Sequence, residues 1–236
     1  MIKRTTLFLS LASALAVSAA DSPMLAIPGD VIFEAKLDAA PAAPWKAAKG
    51  KWEAVEGAMR GSELPEDKHG AVIRLPNKLT DFVMEYEFKF EGARTTSLSI
   101  NAVKDHMARI AITPNSVAFQ KDDNDHEGPD KAVVFARLKA DLKPGTWHKV
   151  RLEMVGDQML GQVDDLIACG SAALFATPKM APGFTVGGQS VDFKNFSIRS
   201  ATLNPEWEKV RATLPKGEPA PLPARKAGAG KKAAAR

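Results

Sequence analysis

The sequence predicts an all-β fold, a sandwich of two antiparallel sheets. Short segments in which apolar and polar side chains alternate recur throughout residues 21–203, and this period of two is typical of half-buried antiparallel strands. Turn-forming glycine, proline, asparagine and aspartate separate these segments. No long helical pattern precedes residue 204. Roughly ten or more short strands indicate a sandwich, and a hydrophobic content of 45% suffices for its core.

The first twenty residues have the pattern of a secretory signal peptide. Lys3 and Arg4 form a positively charged start, residues 7–17 are apolar, and small residues precede a cleavage point before Asp21. The apolar run is shorter than the ~18 residues of a membrane-spanning helix. We therefore predict a signal peptide over residues 1–20, a secreted or periplasmic protein, and no transmembrane span.

The first half of the predicted domain contains six strand patterns. In the clearest of them, Met84, Tyr86 and Phe88 alternate with charged side chains, so one face is apolar and the other polar. Another two patterns are joined by Glu56-Gly57, which suits a tight hairpin turn. The predicted strands cover residues 31–37, 51–55, 58–61, 71–75, 82–90 and 97–102.

The second half of the domain continues in the same way. Thr113-Pro114-Asn115 forms a turn between two alternating segments, and Gly156-Asp157 joins a second hairpin. The predicted strands cover residues 107–112, 116–121, 133–138, 147–155, 159–163, 183–186 and 191–198.

A short helix follows the sandwich. Asn204-Pro205-Glu206 is a helix start, with a capping asparagine and a proline at the first position, and the apolar stripe that follows would dock on the sandwich. We predict this helix over residues 204–214. Residues 215–236 are rich in proline, alanine, glycine and basic side chains and are predicted to be a disordered basic tail.

The charge distribution does not indicate a nucleic-acid partner. The whole chain carries a net charge of +4. The first twenty residues account for +2, and the tail, with six basic residues and one acid, accounts for +5, which leaves −3 for residues 21–214. Nucleic-acid-binding domains present basic surfaces instead. The tail suits contact with an anionic surface, and a solvated segment with no dedicated partner is the alternative.

Residues 105–130 hold the densest group of chemically capable side chains in the chain. Planar hydrogen-bonding groups of this kind recognise sugars. Arg109 alternates with Ala108 and Ile110, so it faces the polar side of its strand. An internal salt-bridge network that pins the loop would use the same side chains and is the alternative. The predicted substrate-binding residues are His106, Arg109, Lys121, Asp122, Asp123 and His126.

The aspartates of this stretch also raise the question of calcium. Asp123, Asp125 and Glu127 are spaced like the start of an EF-hand loop, but Val134 stands where the closing glutamate belongs. Zinc is disfavoured because the two histidines are well separated and no cysteine is near. We predict no cofactor and no metal, with calcium as the one alternative.

Five segments together resemble the family of exported concanavalin A-like domains called 3-keto-disaccharide hydrolases, also described as family 16 glycoside hydrolase-like. The resemblance spans about residues 30–200. The segments are GKWEAVEGAMRGSE, DFVMEYEFKFEG, HMARIAITPNSVAFQKDDNDHEGPDKAV, PGTWHKVRLEMVGDQMLGQVDD and VDFKNFSIR.

This resemblance implies a concanavalin A-like jelly roll of two antiparallel sheets, with carbohydrate as the ligand. The chain departs from the family pattern at Asp164-Asp165, where Asp-Gly is expected, and at Lys194, where an acid is common. The predicted function is an exported, carbohydrate-active glycoside hydrolase of the 3-keto-disaccharide type. The alternatives are a non-catalytic carbohydrate-binding module and an envelope-associated structural protein.

Two carboxylates are candidates for catalysis. Glu85 and Glu87 lie two residues apart on one predicted strand, so both project from one face, roughly 7 Å apart at ~3.3 Å per residue. Glycoside hydrolysis uses a pair of carboxylates that flank the scissile bond. We predict this pair as acid and base, with Arg109 and Lys121 orienting the sugar in the same cleft. A solvated strand surface is the alternative, because the Glu-x-Asp-x-x-Glu motif of retaining sandwich glycosidases is absent.

Three further side chains have structural interpretations. Cys169 is the one cysteine and is predicted to be a small buried hydrophobe. His148 is in phase with apolar neighbours and is predicted to be buried rather than catalytic. Trp147 is in phase with charged neighbours and could form a sugar platform, or pack beneath a loop.

Overall fold

A computed structural model of the chain describes residues 24–104, 106–123 and 131–215. Three predictions fall outside these ranges: the signal peptide over residues 1–20, nearly all of the basic tail, and the sugar contact from His126. They stay predictions.

Within the described ranges the chain forms fourteen strands, one α-helix and two short 3-10 turns at Pro65–Asp67 and Ala173–Ala176. The helix, α1, spans Trp207–Thr213. The strands are β1 Ala26–Ala35, β2 Lys46–Lys49, β3 Lys51–Val55, β4 Ala58–Ser62, β5 Ala71–Arg74, β6 Lys78–Leu79, β7 Phe82–Asn101, β8 His106–Thr113, β9 Ser116–Lys121, β10 Val133–Lys139, β11 Trp147–Val155, β12 Gln158–Val163, β13 Leu166–Ser171 and β14 Lys179–Leu203.

Two long strands, β7 and β14, organise the fold. They are 20 and 25 residues long and pair antiparallel with each other along most of their lengths. The paired strands turn a corner where Gly92 of β7 and Gly188 of β14 adopt φ angles of 84° and 100°, conformations that favour glycine. Each long strand therefore contributes one half to each of two sheets.

We call the two sheets A and B. Sheet A has the order β10–β9–β8–β7–β14–β5–β2 and contains the C-terminal half of β7. Sheet B has the order β13–β12–β11–β7–β14–β1 and contains the N-terminal half of β7, with the hairpin β3–β4 also beside β14. All these pairs are antiparallel, so the predicted sandwich of antiparallel sheets is confirmed.

The sheets pack face to face around one apolar core. A Cβ atom on Gly161 of sheet B would lie 2.3 Å from a ring carbon of Phe119 of sheet A and 3.1 Å from Ile110. The two layers are therefore in close contact at this point, as expected for a densely packed interior. The buried aromatic residues of the core include Phe82, Tyr86, Phe88, Phe90, Phe119, Phe175, Phe184, Phe193 and Phe196.

A second, smaller apolar cluster covers one end of the outer face of sheet B. Trp207 of α1 packs there with Leu25 and Val83, and all three side chains are buried. The Trp207 indole Nε1 donates a hydrogen bond to Gln158 Oε1 at 2.6 Å. The helix and the segment before β1 therefore cover this end of the outer face of sheet B.

The helix is present but shorter than predicted. Residues 204–206 form a turn in which Asn204 Oδ1 accepts the N–H of Glu206 at 3.0 Å, and the regular helix begins at Trp207. The described part of the chain has no helix with the length and apolar character needed to cross a membrane.

The strand predictions are incomplete where the chain passes from one sheet to the other. The sequence predicts two strands over residues 82–102 and two over residues 183–198, but each region is one continuous strand. The reason is that the glycine corner bends β7 and β14 without ending their mutual pairing. The strand β13 has no predicted counterpart, because its sequence LIACGS does not alternate between apolar and polar residues.

Phe184→Ala should lower the free energy of unfolding by about 3–5 kcal/mol. Phe184 is fully buried, and its ring centroid lies 4.3 Å from that of Phe193 and 5.9 Å from that of Trp45, so truncation leaves a cavity within the core. Equilibrium denaturation in guanidinium chloride measures the change. Val103→Ala, at a side chain that is 74% exposed, is the control. A loss below about 1 kcal/mol for Phe184→Ala would contradict this packing.

Candidate functional site

The polar side chains of β7 and its neighbours lie on opposite outer faces of the sandwich. In sheet A, Arg109 alternates with core residues of β8 and points away from the core. In sheet B, Glu85 and Glu87 alternate with core residues of β7 and also point outward. Because the sheets contact each other through their inner faces, the core separates these two groups of side chains.

Five residues form a row across the outer face of sheet A. The register places Gln120 opposite Arg109, Arg109 opposite Ser99, Ser99 opposite Gly183, and Gly183 opposite Arg74. We call these five residues the arginine row. At ~4.8 Å between neighbouring strands, the row extends over roughly 19 Å. Its centre has only a serine and a glycine, so there is space between the two arginine-bearing strands.

The side chain of Arg74 lies across the neighbouring strand. A Cβ atom on Gly183 would lie 2.8 Å from Arg74 Cδ and 2.1 Å from the carbonyl oxygen of Ile73, so the glycine leaves room for this path. Arg74 Nη1 donates to the carbonyl oxygens of Ser99 at 3.3 Å and Ala181 at 3.5 Å. Ala181 has a φ of 41°, a strained conformation for alanine. The guanidinium is thereby held near the middle of the row.

Asp122 directly follows β9 and contacts two residues of the arginine row. Its N–H donates to the carbonyl oxygen of Met107 at 2.9 Å, and its Oδ1 accepts from Gln120 Nε2 at 2.6 Å. Its Oδ2 lies 3.3 Å from Arg109 Nη2. The structure therefore brings together two of the predicted sugar-binding residues, Arg109 and Asp122.

Three buried polar atoms of this face have no hydrogen-bond partner among the described residues. They are Ser99 Oγ, Arg109 Nε and Asp122 Oδ2. An unsatisfied buried polar group costs about 1–3 kcal/mol, so folded proteins keep few of them, and each requires an explanation. Convergent polar groups of this kind are expected at a site that binds a polar ligand.

The charged groups of the row influence one another. Burial lowers the pKa of Arg74, the positive charge of Arg109 lowers it further, and the carboxylate of Asp122 raises it. Two guanidinium groups thus lie within electrostatic reach of one carboxylate. Such an arrangement favours an electron-rich oxygen above the row.

The other predicted sugar contacts occupy different positions. His106 Nδ1 lies 3.4 Å from Asn101 Oδ1 at the start of β8. The side chain of Lys121 is buried on the core side of β9, where its Nζ donates to the carbonyl oxygen of Lys131 at 3.0 Å. Asp123 is half-buried next to Asp122. Sugar contacts from His106, Lys121 and Asp123 stay predictions.

A cavity of ≈ 570 Å³ opens on the outer face of sheet B, around the two predicted catalytic residues. Glu85 Oε1 accepts from Arg151 Nη1 at 2.8 Å. Glu87 Oε1 accepts from Asn195 Nδ2 at 2.7 Å, and Glu87 Oε2 lies 3.3 Å from Lys194 Nζ. Both carboxylates are therefore engaged by neighbouring side chains. We call this the glutamate cavity, and its lining includes Glu85, Glu87, Lys149, Arg151, Asp164 and Asn195.

Arg151 links the glutamate cavity to a buried carboxylate. Its Nε donates to Glu153 Oε1 at 2.6 Å, and the side chain of Glu153 is fully buried. Glu153 Oε2 accepts the N–H of Ala26 at 2.7 Å. Burial raises the pKa of Glu153, and the charge of Arg151 together with backbone N–H groups offsets part of that rise. The pair marks the boundary between the covered and open parts of sheet B.

Trp147 borders the same outer face. Lys194 Nζ lies 4.1 Å and Lys89 Nζ 5.3 Å from the centroid of its ring, within cation–π range. The ring is half-buried. Trp147 therefore packs against two lysines of sheet B.

His148 is buried, as predicted, and its Nδ1 lies 2.7 Å from Asp164 Oδ2. Cys169 is half-buried beside the smaller apolar cluster, and burial raises the pKa of its thiol. Neither side chain belongs to the arginine row.

The structure does not combine the predicted acids and the predicted sugar-binding residues in one cleft. Glu85 and Glu87 line the glutamate cavity on sheet B, whereas Arg109 and Asp122 lie on sheet A. The sequence places the polar faces of residues 82–90 and 97–102 in succession, but the glycine corner sends them into different sheets. The prediction of a single cleft was therefore wrong. The role of each residue stays a prediction.

Arg74 is not among the site residues that the sequence predicts. Its alternation with Ile73 and Leu75 marks it as outward-facing, but nothing in the local pattern pairs β5 with β14. The hydrogen bond from Arg74 to Ala181 joins residues 107 positions apart in the chain. Only the strand order of sheet A shows that Arg74 belongs to the arginine row.

No group of three histidine, cysteine, aspartate or glutamate side chains suited to a metal ion exists within the described ranges. Residues 124–130, which carry part of the calcium-like spacing, lie outside those ranges. The calcium alternative therefore stays a prediction.

The amino-acid sequence matches a protein family over residues 31–199. The family is described as the 3-keto-alpha-glucoside-1,2-lyase-like domain. The match covers nearly the whole sandwich and confirms the family resemblance that the five sequence segments indicated. None of the curated proteins matches the sequence.

Solved structures share the fold at low sequence identity. The carbohydrate binding module CBM66 from Bacillus subtilis is 18% identical, with a TM-score of 0.52 over 66% of this chain and 95% of the module. The laminarinase from Rhodothermus marinus is 11% identical, with a TM-score of 0.56 over 75% and 99%. A galectin-like protein from Bacillus subtilis is 8% identical, with a TM-score of 0.56 over 76% and 100%. These similarities confirm the concanavalin A-like jelly-roll fold.

Arg151→Gln should lower the free energy of unfolding by about 3–5 kcal/mol near neutral pH, because it leaves the carboxylate of Glu153 buried without its cation. A carboxyl whose pKa is raised in the folded state stabilises the fold at low pH, and this contribution is lost as the pH rises through the folded-state pKa. The destabilisation should therefore shrink from about pH 7 to about pH 5. Chemical denaturation at both pH values measures it.

Lys143→Gln is the control for this variant. It removes an exposed ion pair with Asp141, in which Nζ and Oδ2 are 2.7 Å apart, and should change stability by less than ~1 kcal/mol. A destabilisation by Arg151→Gln that grows as the pH falls would show that Glu153 is not the group responsible.

Proposed function

Because the chain belongs to the family of 3-keto-alpha-glucoside-1,2-lyase-like domains, we propose that it is an exported carbohydrate-active β-sandwich that binds a 3-keto-glucoside over the arginine row. The names of two structural neighbours, a carbohydrate binding module and a laminarinase, support carbohydrate as the ligand class. We infer further that the bound sugar is cleaved at this row, in keeping with the family description.

The observation that carries the proposal is the convergence of Arg74, Arg109 and Asp122 at the arginine row, where three buried polar atoms have no hydrogen-bond partner among the described residues. Sugar hydroxyls both donate and accept hydrogen bonds. Hydroxyls of a sugar above the row could accept from the guanidinium groups of Arg74 and Arg109 and donate to the carboxylate of Asp122. A bound sugar would thereby add hydrogen bonds to a face on which three polar atoms have none among the described residues.

The charges around the row suit elimination from a 3-keto sugar. A ketone at C3 makes the hydrogen on C2 acidic. When a base removes this proton, the C2–H electrons form a C1=C2 double bond, the bond from C1 to the glycosidic oxygen breaks, and that oxygen takes up a proton. Asp122 is the proposed base, and Arg74 and Arg109 are the proposed partners of the developing enolate oxygen. His106, at the start of β8, is the proposed proton donor.

A non-catalytic binding module is the second candidate. Beside the arginine row, the carboxylate that contacts Arg109 is that of Asp122, and Asp123 is its neighbour in the chain. Hydrolysis by two carboxylates requires one on each side of the scissile bond. If no elimination is measured, this arrangement supports a module that binds the sugar without cleaving it.

Export of the chain is also proposed. The charged start and the apolar run within residues 1–20 support a secreted or periplasmic location.

Asp122→Asn should lower the turnover of a methyl 3-keto-α-glucoside about 10²–10⁴-fold, because it removes the proposed base while preserving the shape of the side chain. Product analysis by chromatography measures turnover. Asp141→Asn is the matched control, since the same change is made at an exposed aspartate on a loop.

Arg109→Gln should weaken binding of the same sugar roughly 10- to 100-fold, because a hydrogen bond to a charged group contributes about 1.5–3 kcal/mol. Arg94→Gln, at a side chain that is 76% exposed, is the matched control. Calorimetric titration measures both variants.

Two other outcomes would change the proposal. Binding that depends on Arg109 without any product would identify a binding module. Turnover that survives Asp122→Asn but is abolished by Glu85→Gln or Glu87→Gln would move catalysis to the glutamate cavity, as the sequence-based assignment of the acid and base predicts.

A further inference from the structure

We propose that the glutamate cavity is a second saccharide-binding site, which takes a neutral sugar unit of a glycan. It lies on the outer face of sheet B, away from the arginine row on sheet A. The proposal extends the carbohydrate ligand class of the proposed function to another surface, but it rests on different residues and does not require cleavage.

The cavity has the size of a ligand site. Its volume of ≈ 570 Å³ lies within the range of about 300–1,000 Å³ that is usual for small-molecule pockets. Tyr86 and Val150, which are paired between β7 and β11, form its floor, and their buried side chains point into the core. Charged and amide side chains form the walls.

The internal pairing of its charges favours a neutral ligand. A cation or anion would compete with pairs that already exist, whereas a hydroxyl can both donate to a carboxylate and accept from an ammonium or guanidinium group. The ion pairs in and beside the cavity are Glu85 with Arg151 and Glu87 with Lys194, and Asp164 is hydrogen-bonded to His148.

Three groups in the walls retain hydrogen-bonding capacity. The side chains of Lys149 and Asp165 are exposed and make no hydrogen bond or ion pair within the described part of the chain. Gln162 uses its Nε2 to donate to the carbonyl oxygen of Asp164 at 2.7 Å, which leaves its amide oxygen as an acceptor. One donor and two acceptors therefore surround the opening, as a sugar with several hydroxyls requires.

Two residues of the cavity walls have strained backbone conformations. Asp164 and Asn195 have φ angles of 49° and 54°, in the left-handed region. Asp164 Oδ1 accepts the N–H of Lys149 at 2.9 Å, and Asn195 donates to Glu87. Asp164, which follows β12, and Asn195, which lies within β14, both line the cavity.

An aromatic ring lies beside the cavity. Lys194 connects the cavity to an aromatic ring, because its Nζ lies 3.3 Å from Glu87 Oε2 and 4.1 Å from the ring centroid of Trp147. An aromatic side chain beside convergent polar groups is typical of sugar sites.

The test uses the whole chain and neutral oligosaccharides of known structure. Laminarihexaose, maltohexaose and xylohexaose are titrated calorimetrically against the Arg109→Gln protein, with tetragalacturonate as the anionic comparison. We expect at least one neutral hexasaccharide to bind this variant, because the glutamate cavity is intact.

Adding Lys149→Ala, Asp165→Ala and Asn195→Gly to that protein should weaken the binding at least about tenfold, since each change removes a hydrogen-bonding side chain from the walls. All three side chains are exposed, and glycine suits the φ of 54° at position 195, so folding should be preserved. Lys143→Gln, outside the cavity, is the control and should leave binding unchanged.

The proposal is overturned if no neutral oligosaccharide binds the Arg109→Gln protein, if the triple change leaves binding intact, or if tetragalacturonate binds more tightly than all three neutral probes. Failure of the proposed function looks different. In that case 3-keto-glucoside turnover is absent or insensitive to Asp122→Asn, while neutral oligosaccharide still binds the cavity.

Discussion

The fold depends on the pairing of β7 with β14. These strands run side by side around the corner at Gly92 and Gly188, where their register shifts, so their pairing belongs to both sheets. The other strands are added outward from this pair. Because side chains alternate between the two faces of a strand, the register of the pair decides which residues face the core in both layers. It places Glu87 opposite Lys194 in sheet B and Ser99 opposite Gly183 in sheet A, and so creates the centres of both candidate sites.

The two outer faces differ in how their charges are satisfied. On sheet B, Glu85 and Glu87 each meet a cation, and the buried Glu153 shares Arg151 with Glu85. On sheet A, Arg109 keeps an unpaired Nε even though it contacts Asp122. An unpaired buried group lowers stability, and at an outer face a ligand that adds hydrogen bonds would offset part of that cost. This difference is why we place the reaction at the arginine row and a neutral binding surface at the glutamate cavity.

The ends of the described chain determine how much of sheet B remains open. Trp207 and Leu25 cover the outer face around Val83, and the N–H of Ala26 reaches the carboxylate of Glu153 beneath them. Beyond that point no described segment covers the sheet, and the glutamate cavity begins. A short helix therefore has two consequences: it stabilises one end of the sandwich by apolar burial, and it limits the polar surface available to a ligand.

Local sequence patterns suffice for the fold class, most of the strands, and the outward direction of Glu85, Glu87 and Arg109, because alternation within a strand is a local property of the chain. They also place Arg109 and Asp122 in one candidate site, since these residues lie on the same hairpin and its exit. The position of Arg74 beside them, and the separation of the glutamates from them, follow from the three-dimensional fold. Both outcomes depend on strand pairings between distant residues and on a bend shared by two strands. Burial of the whole core, rather than any local pattern, selects those pairings.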